Sequence, residues 1–450
     1  MRGARADLRL AWTLLNGSDR REWWRITLTG IGAAIGSGFA LAAVALASLE
    51  GDHSVGVAHG LLDQPGERHG VVFALVLLLI PVLGFLGQCA RIGAVHRDRR
   101  LAGLRLAGAT PGQVRRIAGY ETALAGLAGA GVAAVFSVLV LLLRWPEATL
   151  TTWLGVAAVT LAVPVVGALV SVLALRRVVA SPLGWVRRVR PPRGRGAWLV
   201  VAGTVICVVG LLATASLMRG PNVSRLAAPL SVFLAVLLTG LGAIALAGAA
   251  ARLTGRVLAA RTSRPAVLIA AERLRDDPWA AARTHAAVLL VTVVGTGFVG
   301  VRAGLLDELN GATGLAESMD FYTTGIDLTA AAIGVGLLIT LCALAVGAAE
   351  SLATRRRGLA AQSAAGVPRA VLGRALLLET ALPLAPAILL AATGGLAIGI
   401  AYGSLVNGGL TVPWAALLVP TGVYAACLLA SATSLPLLSR SVRASELRYG

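Results

Sequence analysis

Few side chains in this sequence are of types that do chemistry. His53, His59 and His69 fall close together beside Asp52, Asp63 and Glu67, a mix of imidazoles and carboxylates that could hold a metal ion or haem. Their spacing matches no tight ligand set, so the stretch reads as an exposed polar loop and no metal is expected. Cys89, Cys207, Cys342 and Cys427 lie in or at the ends of apolar runs and read as small hydrophobes, not as a disulfide framework. All forty basic residues are arginine. A Walker A loop needs a lysine to reach its phosphates, so this chain is not expected to be an enzyme, and any ATP hydrolysis must come from another polypeptide. Glu121 and Glu379 stand where apolar runs begin. They read as first-turn carboxylates favoured by the helix dipole and paired with a nearby arginine, or as members of a coupling network. A proton relay is disfavoured by their distance from mid-membrane.

The two glutamates belong to a repeat. Arg99 to Leu124 reads RRLAGLRLAGATPGQVRRIAGYETAL, and Arg357 to Leu382 reads RGLAAQSAAGVPRAVLGRALLLETAL, a looser copy offset by 258 residues. The spacing of Leu101, Leu104, Ala107 and Gly108 predicts a short amphipathic helix flanked by Arg99, Arg100 and Arg105. Thr110-Pro111-Gly112 predicts a turn, with Thr suited to capping and Pro to the first helical position. A second helix is expected from about Gln113 into the next apolar run. Anchoring to anionic lipid would explain a single copy. Two copies at matched positions argue for more than an anchor.

These stretches are positioned by long apolar elements. Of 450 residues, 57% are hydrophobic and 14% charged. Runs of about twenty apolar residues are long enough to cross a bilayer as helices. Ten spans are expected, near 26–48, 70–90, 119–143, 152–174, 198–217, 228–250, 284–303, 327–349, 376–403 and 414–437. With the N-terminus inside, the segments on that side hold thirty-five arginines and the outer loops five. That asymmetry is a strong positive-inside signal and absorbs the net charge of +19 without invoking nucleic acid. The first apolar run reads as a retained span, not a cleaved signal. Outer loops near 49–69 and 304–326 are short; the second carries Asp307, Glu308, Glu317, Asp320 and Asp327. Gly32 and Gly36, and Gly395, Gly399 and Gly403, are read as close-packing devices. Pro164 and Pro420 are candidate kinks.

The offset also lays spans one to four over spans seven to ten. The expected fold is an all-α membrane protein of two parallel four-helix repeats around two extra helices, with both termini cytoplasmic. The repeats are placed at 1–174 and 259–450, with 175–258 as the linker carrying the extra helices.

The residues from Arg99 to Glu121 resemble the loop between the second and third spans of FtsX-like ABC transporter permeases, the group that includes MacB and BceB. The ten-span layout is similar to BceB. The resemblance implies a permease subunit, paired with two copies of a cytoplasmic ATPase that bind ATP and Mg, with no cofactor in this chain. It implies ATPase contact by Arg99, Arg100, Leu104, Arg105, Gly108, Thr110 and Gln113. In the second copy the contacts would be Arg356, Arg357, Gln362, Gly366, Pro368 and Arg369, with tighter docking at the first. The chain lacks the large extracytoplasmic domains of MacB and BceB. That favours an amphiphilic, antimicrobial or lipid-like substrate entering from membrane lipid. A mechanotransmitter acting on a cell-wall hydrolase or sensor kinase is the alternative, and an ion-driven transporter a weaker one. The expected location is a bacterial plasma membrane.

Overall fold

The computed structural model describes residues 7–13, 20–49, 51, 58–89, 103–104, 106–145, 148–179, 205, 227–276, 278–311, 317–406 and 413–441. Among these there is no strand. The helices are α1 (Arg20–Ala47), α2 (Pro65–Cys89), α3 (Pro111–Arg144), α4 (Leu150–Val179), α5 (Ala227–Arg261), α6 (Pro265–Asp276), α7 (Pro278–Gly311), α8 (Met319–Ala364), α9 (Arg369–Val406), α10 (Leu418–Ala432) and α11 (Leu435–Ser441). Nine segments of the described residues are long and apolar enough to span a membrane. They coincide with nine of the ten expected spans. The remaining one, at 198–217, lies outside the described residues except for Val205.

The chain divides into two compact units, Met1–Glu50 with Leu78–Arg190, and Gly51–Leu77 with Pro191–Gly450. In the first, α1 and α3 touch backbone to backbone. A Cβ on Gly129 would stand 2.1 Å from the Gly30 carbonyl oxygen. Gly126 lets α3 meet the Pro164 backbone of α4, and Gly32 and Gly36 admit Leu86 and Val82 of α2. Leu41, Ala133, Leu141 and Val156 close the apolar interior of α1, α3 and α4. In a medium as apolar as leucine, such close contacts supply the association that the hydrophobic effect supplies in water.

In the second unit α7 crosses α9 on a ladder of glycines. Gly297 faces Gly395, Gly300 faces Gly399 and Gly304 faces Gly403, with a Cβ on Gly300 only 2.7 Å from the Gly399 Cα. The packing role expected for the α9 glycines is therefore met by a matching set on α7 that the sequence reading did not single out. Val288, Leu289, Leu384 and Ala391 form the fully buried centre beside them. At the other end of this unit, a 3-10 turn at Ala58–Gly60 puts Leu61 against Gly325 of α8.

Several expectations change. The helices start earlier than the apolar runs, because polar turns outside the hydrocarbon still propagate a helix at little cost. Glu121 and Glu379 accordingly lie ten residues past the helix starts at Pro111 and Arg369, nearly three turns in. The macrodipole has faded there, so the first-turn reading fails. The outer loops also shorten, as α7 continues to Gly311 and α8 begins at Met319. Pro420 is the third residue of α10, after a 3-10 turn at Trp414–Leu417. Its missing N–H costs nothing at a helix start, so it marks an N-terminus instead of an interior kink. Pro164 does lie inside α4.

Candidate functional site: two arginine-rich hairpin tips

Each repeated stretch folds as a helix end, a tight turn and a new helix, and the turns share two hydrogen bonds at matched positions. In the first, Gly108 takes φ +96°. The Ala109 N–H donates to the Leu104 carbonyl and the Ala107 N–H to that of Gly103, both at 2.9 Å. In the second, Gly366 takes φ +90°. The Val367 N–H donates to the Gln362 carbonyl at 3.1 Å and the Ala365 N–H to that of Ala361 at 2.9 Å. An amide reaching back five residues across a left-handed glycine is the Schellman closure, which satisfies carbonyls the helix end would orphan. Only glycine enters that region without steric cost. The offset of 258 residues maps every one of these positions onto its counterpart.

Apolar contacts fix each turn to the helix that follows. Leu104 and Ala109 pack on Val114 and Ala118, the latter pair fully buried. At the equivalent positions, Val367 packs with Leu372 and Leu376, joined by Leu352 and Leu359 of α8 and Leu438 of α11. The α3 start is further held by a capping box. The Thr110 N–H donates to Gln113 Oε1 at 2.8 Å, and the Gln113 N–H to Thr110 Oγ1 at 3.3 Å. The expected Thr cap and the proline at the helix start are both present.

The second stretch departs from the expected short interfacial helix. Residues 355–364, including Arg356, Arg357 and Gln362, are the end of α8, which runs unbroken for 46 residues. At 1.5 Å per residue α8 is about 69 Å long, roughly twice the hydrocarbon thickness. It therefore projects well beyond an apolar layer, and α9 returns beside it.

Of the expected contact residues, Gly108, Thr110, Arg357, Gly366, Pro368 and Arg369 are exposed, while Leu104, Gln113, Arg356 and Gln362 are half-buried. Arg99, Arg100 and Arg105 lie outside the described residues. One residue that sequence reasoning missed stands out. Leu106 is 86% exposed, beside Gly108 and outside every apolar run. It falls off the stripe formed by Leu101, Leu104 and Gly108, and that misfit was the available signal.

The two glutamates sit at the base of these hairpins in different company. Glu121 is buried in α3 and faces Arg25 of α1 at 3.7 Å, with side chains 2% and 7% exposed. Nearby, Arg116 of α3 holds Asp7 at 2.8 Å. Glu379 in α9 takes two guanidiniums, Arg355 of α8 on Oε2 at 2.7 Å and Arg273 of α6 on Oε1. Burial, and then the neighbouring Arg355 charge, pull the Arg273 pKa below the ordinary arginine value. The arginine partners expected for both carboxylates are thus present. Which arginines they are was not legible, because Arg25, Arg273 and Arg355 are far from the glutamates in sequence.

His59 and His69 stand at the far end of α2, near the 3-10 turn, and His59 adopts φ +50°. Among the described residues no three histidine, cysteine, aspartate or glutamate side chains come close enough to hold a metal. His53 lies outside them.

A family model described as FtsX-like permease C-terminal matches residues 70–183, a range that takes in most of α2, the Gly108 tip, α3 and α4. No curated protein matches the chain. Permeases of this family are the non-catalytic membrane subunits of ABC systems and work with a cytoplasmic ABC ATPase. Residues 70–183 are thus similar to the FtsX-like permease family, and the nine apolar segments among the described residues mark a multi-pass membrane protein.

Proposed function

We propose that the chain is the permease of an ABC transporter in which the Gly108 and Gly366 tips each receive one cytoplasmic ATPase subunit. Leu106 carries this reading. A leucine left 86% exposed on a rigid, hydrogen-bonded turn, away from the apolar spans, has the form of an anchor for a protein pocket. Arg99, Arg100 and Arg105 precede it in the sequence and would steer an acidic rim, with Leu104, Thr110 and Gln113 completing the contact. At the second tip Arg356, Arg357, Gln362, Pro368 and Arg369 take those places. Ala364 stands where the first tip has Leu106, which favours tighter docking at the first.

In this reading the arginine-rich ends and both termini face the cytoplasm, and ATP and Mg belong to the partner. Ten spans form two four-helix repeats around two extra helices, divided near residues 174 and 259. Closure of the ATPase pair pushes on the tips, and helices α8 and α9 carry the stroke across the membrane. A small outer surface favours an amphiphilic or lipid-like substrate taken from the bilayer and exported. The test is co-purification with the partner ATPase and ATP-dependent flux in proteoliposomes. Leu106→Glu with Gly108→Trp should abolish both association and stimulated hydrolysis. Unchanged association would refute the docking, and ATP turnover without flux would favour mechanotransmission.

A further inference from the structure

The hairpin formed by the end of α8 and the start of α9 is fastened by more than its apolar contacts. Glu379 receives Arg355 from the outgoing helix on one oxygen and Arg273 from α6 on the other. Its side chain is 17% exposed, and of its two partners Arg273 is the better shielded, Arg355 being nearly half exposed. Arg355 lies nine residues before the end of α8, and Glu379 ten residues after the first residue of α9. The clasp thus joins the two arms about 14 Å from the tip, at 1.5 Å per residue. Between it and Gly366 lie Leu359 and Leu372. On the other face, α6 is seated on α5, where a Cβ on Gly255 would touch the Ala271 carbonyl oxygen at 3.0 Å. One carboxylate therefore ties three helices, and through α6 a fourth.

We infer that Glu379 is a positioning residue that makes the hairpin a stiff lever, so that displacement of the Gly366 tip moves α9 and α6 together. Without it the arms would part and the stroke would be absorbed in the hairpin. The inference rests on the reading that this tip is pushed, but the clasp itself can be read in the isolated chain.

The experiment is hydrogen exchange on the full chain in nanodiscs, comparing wild type with Glu379→Gln, Arg355→Gln and the double variant. Glu379→Gln should speed exchange across 352–376 about tenfold, the scale of one charge-assisted hydrogen bond, while 111–144 is unaffected. Arg355 is nearly half exposed, so Arg355→Gln keeps the test intact if the glutamate variant folds poorly. Its effect should be smaller, and the double variant should exceed Glu379→Gln by little. Wild-type exchange in Glu379→Gln, or strictly additive effects, would overturn the clasp. With the partner ATPase present, Glu379→Gln should bind it normally and lose ATP-driven output; normal output would overturn the lever. If even wild type fails to bind the ATPase, the docking reading falls while the exchange result still decides the clasp.

Discussion

Gly366 and Gly358 are eight residues apart on one hairpin, and the same substitution should act on them with opposite sign. Neither would bring a new Cβ within 4 Å of any atom beyond its chain neighbours and its own turn of helix. Packing is therefore silent, and the backbone decides. Gly366 holds φ +90°, where an L-residue pays about 1–2 kcal/mol. Gly358 lies in the body of α8, where alanine is favoured over glycine by about 1 kcal/mol. Gly366→Ala should thus raise the open population of the turn by roughly 5–30-fold, and Gly358→Ala should lower local opening in α8 by up to about fivefold. The assay is amide exchange resolved at Ala365 and Val367, whose N–H groups close the turn onto Ala361 and Gln362. Gly366→Asn should cost less than alanine, since asparagine tolerates left-handed backbone. If both alanine variants shift exchange in the same direction, the Schellman closure is not what holds the tip.

Other perturbations reach the remaining parts. Thr110→Ala removes the α3 cap and should cost about 1 kcal/mol, seen as fraying of residues 111–114 with the later turns protected. Gly300→Ala puts a methyl 2.7 Å from the Gly399 backbone, so α7 and α9 must separate. The cost should be about 1–3 kcal/mol, read as a lower midpoint of thermal unfolding in detergent. Glu121→Ala removes a fully buried carboxylate facing buried Arg25 and should cost about 3 kcal/mol, more than Glu379→Ala with its half-exposed Arg355. Equal losses at the two glutamates would contradict the difference in burial.

The spans were legible because a twenty-residue apolar run has few alternatives, and the repeat because Gly, Glu and Arg recur at one offset. The turn at Thr110-Pro111 was legible from local chemistry alone, since a cap and an N1 proline act within three residues. What escaped was long-range. Arg25, Arg273 and Arg355 reach their glutamates across 24 to 106 residues, and nothing local in the sequence pairs them. The continuity of α8 through Arg355–Arg357 escaped for a different reason. Hydropathy ends a span where charges begin, whereas the backbone ladder ignores that boundary until a residue such as Gly366 stops it. Leu106 was not legible because it falls off the apolar stripe that marks the helix's packed face.

The central claim is that the Gly108 tip is where an ATPase pushes, and site-specific photo-crosslinking tests it most directly. A photoreactive amino acid replacing Leu106 in the full chain, activated in intact cells, should capture an ATP-binding cassette ATPase identified by mass spectrometry. The same probe at Leu143, 80% exposed on an apolar span, should capture none. Crosslinks from Leu106 confined to lipid, or to proteins that bind no nucleotide, would contradict the account.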